Sequence, residues 1–301
     1  MMLTSEALSA EYTHACRRAA DFVLLMKPRI VMMVLLTTFV GFYLGVSGTP
    51  DYAVLLQVLT GTALAAGGTL ALNQFLERDI DARMVRTRLR PLPAGRLQPT
   101  EALLFGLLIV VTGLLYLAIS VNVLSSVVAT VIVGSYLFLY TPLKRKTAFC
   151  TVVGAVPGAL PPVIGWAAVT GRLGIEAWVL FAIMFFWQLP HTLAIAMLYK
   201  DDYERAGIRL LPMIDPDDKL TGCQIVCDCL VLLIVSLLPT LIGFAGPVYF
   251  VGALTLGIGL LVCGFAFTFW RSTTDVRRLR FASLVYLPAL LLLMVLNRVP
   301  F

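Results

Sequence analysis

A chain of 301 residues that is 59% hydrophobic and only 13% charged, with a mean hydropathy of +0.92, is too apolar for a water-soluble domain, and its solvent is lipid. The net charge of +6 does not point to a nucleic-acid partner, because the basic residues collect in short segments between apolar runs, where Lys and Arg mark the cytoplasmic side of a membrane. The first 25 residues carry Glu6, Glu11 and Asp21, unlike a transit peptide or a cleaved signal, so a cytoplasmic tail with a solvated His14 is expected, on a protein of the bacterial inner membrane.

Apolar runs follow near 28–47, 52–75, 101–119, 123–140, 149–169, 175–198, 223–243, 248–268 and 281–299. Each approaches the roughly 20 residues that a helix needs to cross about 30 Å of hydrocarbon. Their apolar residues are continuous and do not alternate, which excludes a barrel, since a lipid-exposed backbone must satisfy its own hydrogen bonds. The expected fold is all-α: one polytopic membrane domain over 1–301 with about nine transmembrane helices. With the N-terminus inside and the C-terminus outside, every Lys and Arg except Arg172 and Arg298 falls on the cytoplasmic side, as the positive-inside bias requires. Pro28, Pro157, Pro161, Pro162, Pro190, Pro239, Pro247 and Pro288 are where spans would kink or break.

The second span leads into Asn73, Glu77, Asp79 and Asp81, then Arg83, Arg86, Arg88 and Arg90. At about 100° per residue, Asn73, Glu77 and Asp81 differ by about 40° per step and stack on one helix face, while Asp79 points away. Oxygen donors so arranged suit a hard cation, and Mg²⁺ in particular is held by one or two carboxylates together with waters and substrate phosphates. A charged helix end whose arginines merely mark the inner face has the same spacing. Two features favour a site: an amide such as Asn73 is costly at the end of an apolar span without a partner, and Arg86 and Arg90 follow directly, as cations that offset a metal-bound diphosphate would.

The fourth span closes on Tyr140-Thr141-Pro142-Leu143-Lys144-Arg145-Lys146, either a topology anchor or, through Lys144 and Arg145, two further cations for a phosphate site. Gly154 to Trp166 is rich in small residues and proline, which fits a cavity wall as well as ordinary close helix packing. Further on, Trp187-Gln188-Leu189-Pro190-His191 leads into Tyr199-Lys200-Asp201-Asp202-Tyr203. His191 and Asp202 share a helix face about 16 Å apart along the axis, one deep and one at the surface. An imidazole inside a span needs a hydrogen-bond partner, and both a structural role and an axial ligand satisfy that need. Cys16, Cys150, Cys223, Cys227, Cys229 and Cys263 all fall on the cytoplasmic side or within spans, so no disulfide is expected, and Cys223 with Cys227 read as packing residues before metal ligands.

Taken in order, these motifs resemble over most of the chain the heme O synthases, the protoheme IX farnesyltransferases of the UbiA-type intramembrane prenyltransferase superfamily. The match runs through Lys27-Pro28-Arg29, then Asn73-Gln74 with Glu77, Asp81, Met84 and Arg86-Thr87 to Arg90-Pro91-Leu92. It continues through Tyr140 to Arg145, Gly154 to Trp166, Trp187-Gln188 with Pro190-His191, Asp202-Tyr203 with Ala206-Gly207, Leu211-Pro212, and Ser283 with Tyr286-Leu287. Tyr199 and Tyr203 stand where related prenyltransferases carry Asp, leaving Asp201 and Asp202 as the carboxylates of the second acidic segment, and Cys150 replaces an expected Asn.

The resemblance implies a helical bundle around a central cavity, roofed on the cytoplasmic side by the two acidic segments. It implies farnesyl diphosphate and heme B as substrates and heme O as product. It implies Mg²⁺ as cofactor, held by Asn73, Glu77 and Asp81 with Asp201 and Asp202, and Arg86, Arg90, Lys144 and Arg145 against the diphosphate. Asn73, Glu77, Asp81 and Asp202 would carry catalysis, while His191 and Gln188 would contact heme through iron or a propionate. The lipid bilayer and a downstream heme-modifying enzyme complete the expected partners.

Two other readings compete. A prenyltransferase for an aromatic quinone precursor would share Asn73, Asp81 and the metal chemistry, but Pro190-His191 and the two tyrosines favour heme by resemblance. A membrane carrier would place its polar site near the midplane and show matching halves, whereas here the charges gather at one face and no convincing internal repeat is present.

Overall fold

The computed structural model describes residues 16–299, and the readings on Glu6, Glu11 and His14 fall outside them. Among the described residues, nine helical segments are long and apolar enough to cross a membrane. Residues 16–25, expected as part of a tail, form a helix, α1. Its side chains explain why it docks: Arg96 Nε donates to Asp21 at 2.9 Å, the Phe22 ring lies 4.9 Å from that of Phe105, and Leu25 is buried.

The spans begin with α2 (Pro28–Gly45), α3 (Tyr52–Asp81), α4 (Pro99–Ser120) and α5 (Val123–Leu143). The broken pair α6 (Cys150–Ala159) and α7 (Pro161–Thr170) comes next, then α8 (Ile175–Leu198). After two short helices, α9 (Lys200–Arg205) and α10 (Leu211–Ile214), the chain crosses again as α11 (Lys219–Leu241), α12 (Pro247–Trp270) and α13 (Thr273–Leu296). Large apolar side chains such as Leu104, Ile119, Phe138 and Phe269 remain on the outside, as expected where the neighbouring phase is hydrocarbon.

Where the observed bounds depart from the apolar runs, the reasons are local. Helix α3 continues to Asp81 instead of ending near 75, because no Gly or Pro interrupts 69–81, and the polar continuation finds partners in the fold. Gln74, for one, donates to the carbonyls of Leu24 and Leu25 at 3.1 and 2.9 Å. The fifth span is two helices because Pro161 and Pro162 supply no N–H to the preceding turn. Helix α13 starts at Thr273, eight residues before the apolar run, since the Ser272 side chain accepts the Asp275 N–H and caps it. Within α5, Ser135–Tyr140 is π-helical, a wider turn that recurs at functional sites.

Helices α2 and α7 meet almost backbone to backbone: a Cβ at Gly41 would overlap the Pro162 carbonyl, and one at Gly165 the Thr38 carbonyl. That contact carries the α2 N-terminus to the end of the bundle where three connecting segments converge. There the Val85 and Arg86 amides reach Asp202, and the Arg209 amide donates to the Lys144 carbonyl at 2.8 Å. The segments after α3, α5 and α8 thus form one polar roof, as the charge pattern required.

Candidate active site

Asn73, Glu77 and Asp81 lie on successive turns of α3, and all three are buried. Each is met by a cation or hydroxyl from another segment. Lys27 Nζ donates to Asn73 Oδ1 at 2.9 Å, and Asn73 Nδ2 donates to Thr141 Oγ1 at 3.3 Å. Lys144 Nζ donates to Glu77 Oε1 at 2.7 Å, and Arg90 donates to Asp81 Oδ2 at 2.6 Å. Thr87 Oγ1 bonds the Asp81 carbonyl at 2.7 Å, folding the segment that carries Arg90 back over the helix end.

All of these groups except Thr141 line one polar cavity of about 200 Å³, together with Arg86 and Tyr203. Its walls carry four cations, Lys27, Arg86, Arg90 and Lys144, against two carboxylates, Glu77 and Asp81, so it is built to receive an anion. Lys27 shows the strain of that arrangement. Its backbone sits at φ 50°, in the left-handed region, directly before Pro28, a conformation that persists only where surroundings dictate it. Burial first, and then the neighbouring Arg90 charge, push the Lys27 ammonium down to about 7, against the pull of Glu77. Burial also works against the Lys144 ammonium, but Tyr140 and Glu77 outweigh it and hold that amine well above the ordinary lysine value.

Arg86 is held by aromatic faces. Its guanidinium lies 5.0 Å from the Tyr199 ring centroid and 5.7 Å from that of Tyr203, and it donates to the Tyr203 hydroxyl at 3.3 Å. The two tyrosines that replace expected acids therefore serve as cation–π platforms for a cavity arginine.

A second cavity, about 230 Å³ and mostly apolar, is lined by Val34, Ala66, Leu70, Ile132, Pro157 and Gln188 among others. Both cavities share Ile30, Tyr136, Tyr140, Thr192 and Leu210, so they adjoin, with the Tyr136 and Tyr140 rings 5.3 Å apart at their junction. Gln188 Nε2 donates to the Ala155 carbonyl at 2.6 Å, and Gly158 leaves the room its amide occupies, since a Cβ there would overlap Oε1.

The expected residues divide accordingly. Asn73, Glu77, Asp81, Arg86, Arg90 and Lys144 converge on the polar cavity, and Gln188 lines the apolar one. Arg145 and Asp201 do not converge: both side chains are exposed and line neither cavity. In each case the helical turn that aims its neighbour inward turns it toward solvent. Asp202 is buried, but its oxygens accept the Val85 and Arg86 amides at 3.3 and 3.4 Å and pair with Arg205. It also lines neither cavity, because backbone amides claim it. His191 faces α13, where Nδ1 meets Ser283 Oγ at 2.8 Å. Lys27, Tyr136 and Tyr140 acquire site positions that charge patterning alone did not give them. Lys27 was signalled only by the Lys27-Pro28-Arg29 motif, and the inward turn of Tyr136 depends on a π-helical stretch with no sequence mark. All six cysteines are free.

Among the described residues, no three His, Cys, Asp or Glu side chains cluster as a self-sufficient metal site. Two carboxylates and an amide oxygen on one helix face, in a cavity rich in cations, nevertheless fit Mg²⁺, which completes its shell with water and phosphate oxygens.

The chain is similar to known proteins over most of its length. The UbiA prenyltransferase family profile matches residues 34–290. A protoheme IX farnesyltransferase of Solibacter usitatus (strain Ellin6076) is 45% identical over 287 residues, covering 92% of this chain and 98% of that protein. Among solved structures, a digeranylgeranylglyceryl phosphate synthase superposes with a TM-score of 0.80 at 15% identity, covering 93% of this chain and 98% of that one. A UbiA homologue from Archaeoglobus fulgidus, bound to GPP and Mg²⁺, gives 0.64 at 16% identity over 91% of this chain and 99% of its own.

Proposed function

The chain belongs to the UbiA prenyltransferase family, and from that premise we propose that its joined cavities carry out farnesyl transfer from farnesyl diphosphate to a vinyl group of protoheme IX, giving heme O. The observation that carries the proposal is the direct junction of a buried cationic cavity with an apolar one. An isoprenyl diphosphate is an anion attached to a hydrocarbon, and the two cavities match it end to end.

The diphosphate lies in the polar cavity against Lys27, Arg86, Arg90 and Lys144, which offset charge as it builds on the leaving group. Asn73, Glu77 and Asp81 would hold Mg²⁺. When bound, it supplies Lewis-acid stabilisation to the departing phosphate oxygens. Asp202 holds the Arg86 backbone and so positions that guanidinium. Cleavage of the allylic C1–O bond leaves the electron pair on diphosphate and the positive charge on the prenyl chain, at the junction lined by Tyr136 and by Tyr140, whose ring also carries Lys144 Nζ at 4.3 Å. The vinyl π electrons then form the new C–C bond. Water captures the second cation, next to the macrocycle, and a proton is lost, leaving a hydroxyl. The apolar cavity keeps water from the first cation while that bond forms. Gln188 and His191 are the heme contacts.

The polar roof faces the cytoplasm of a bacterial inner membrane, with the N-terminus inside, since the connecting segments on that side of the spans hold every Lys and Arg except Arg172 and Arg298. The test of the reaction is mass spectrometry of hemes extracted after incubating membranes with heme B, farnesyl diphosphate and Mg²⁺. A Mg²⁺-dependent product heavier by one farnesyl and one water is expected. Prenylation of a supplied aromatic acid, with heme untouched, would overturn the acceptor and keep the metal chemistry.

A further inference from the structure

We infer that Ser283 of α13 is a positioning residue that fixes His191 as a neutral imidazole with Nε2 free, and that this nitrogen ligates the iron of the heme substrate. The inference rests on the heme reading above and adds to it an atom, a tautomer and a supporting residue.

The direction of the hydrogen bonds decides the tautomer. Ser283 Oγ lies 2.8 Å from the Arg280 carbonyl. A carbonyl only accepts, so the serine hydroxyl spends its proton there. Ser283 Oγ also lies 2.8 Å from His191 Nδ1. With its own proton committed, that oxygen accepts, and the proton on this bond belongs to Nδ1. In a neutral imidazole the lone pair then resides on Nε2, the form in which histidine binds metals, and a hydrogen bond at the other nitrogen is the usual means of orienting such a ligand.

The surroundings hold the ring as well as the proton. The imidazole lies over Trp187 with centroids 5.0 Å apart and planes 16° from parallel. The indole is itself pinned, since Trp187 Nε1 donates to the Ser283 carbonyl at 2.7 Å. One fully buried serine thus organises both aromatic rings through its backbone and its side chain. No carboxylate is hydrogen-bonded to the ring among the described residues. An imidazole kept in one tautomer and one plane, and only partly buried, is more than a satisfied span histidine requires.

Its place along α8 also suits the acceptor. Gln188 and Thr192, one turn apart, face the apolar cavity, while His191 presents the adjoining flank of the same helix. His191 itself lines neither cavity, and heme ligated there would lie beside the one proposed for the prenyl chain. Ser283 touches no reacting atom and acts through His191.

The test is titration of the full-length protein in nanodiscs with ferric heme B, read by the Soret band and by resonance Raman of the iron–histidine stretch in the ferrous state. Wild type is expected to show histidine ligation. His191→Ala is expected to lose it and to regain it with added imidazole. Ser283→Ala is expected to shift the stretch and weaken heme binding about tenfold, the scale on which outer-shell partners act. Ser283→Thr, which keeps the hydroxyl and controls for folding, is expected to restore both. A wild-type spectrum in His191→Ala, or in a folded Ser283→Ala, overturns the inference. Heme O formation by wild type without histidine ligation sinks this inference alone. Histidine ligation with no farnesylated product sinks the proposed reaction and leaves the ligand standing.

Discussion

The two acidic segments at the polar end look alike in sequence and differ in the fold. On α3, Asn73, Glu77 and Asp81 repeat every four residues, and all face one cavity where each meets a cation or an amide-bound hydroxyl. On the turn after α8, Asp201 and Asp202 are adjacent, so one faces out and the other in, and the inward one spends its oxygens on the backbone of 85–86. A four-residue spacing builds a site, whereas adjacency builds a latch. The first segment is therefore the face we propose for metal and diphosphate, and the second holds the loop that carries Arg86 to the same cavity.

Substitutions along α3 test that division most severely. Asp81→Asn keeps the shape but removes a buried charge that pairs with Arg90 and belongs to the proposed metal site, and turnover is expected to fall by about 10³-fold with the protein still inserted. Chelation of Mg²⁺ is expected to abolish product in wild type. Glu77→Gln, which leaves Lys144 buried without its counter-ion, is expected to cost about 10²-fold. Activity within a few-fold of wild type in either variant, measured by heme O formation, would remove that side chain from the ligand set.

Asp202→Asn separates latch from ligand. The single amide oxygen still accepts from one of the Val85 and Arg86 amides, but the NH2 that replaces the other oxygen cannot accept from the second, and the charge that pairs with Arg205 is gone. A loss of about tenfold is expected, seen chiefly as a higher KM for farnesyl diphosphate, because Arg86 is less well placed. A loss as large as that of Asp81→Asn, and in kcat, would make Asp202 a metal ligand and erase the difference between the two segments.

Much of this was legible because it depended on period and composition. Nine apolar runs and the one-sided charge gave the bundle and its polar end, and the step of about 40° at four-residue intervals gave the shared face of Asn73, Glu77 and Asp81. What stayed hidden depended on turns. Nothing in Ser135–Tyr140 announces a π-helical stretch, so Tyr136 has no signal beyond its helical spacing from Tyr140, which the motif Tyr140 to Arg145 does mark. Arg145 follows a cavity lysine and Asp201 precedes a buried aspartate. Composition ranks such neighbours equally, and only the backbone decides which one points in. Charge placement alone makes Lys27 a topology cation, and its role depends on the left-handed backbone at which it reaches Asn73.

Asp201→Asn is the smallest expected effect and the sharpest check on the comparison. Asp201 is exposed, it lines neither cavity, and among the described residues none of the ion pairs at this end of the bundle uses it. A solvated carboxylate at the start of the short helix α9 contributes at most a few tenths of a kcal/mol through the helix dipole, and salt screens its reach toward the diphosphate. Heme O formation by Asp201→Asn is therefore expected to stay within about twofold of wild type, with the Mg²⁺ concentration for half-maximal rate unchanged. A shift in that Mg²⁺ dependence, even at full maximal rate, would mean that the turn after α8 re-aims Asp201 when metal and diphosphate bind. The second segment would then be a ligand arm that closes over the substrate, and the contrast between site and latch would hold only for the protein without its substrates.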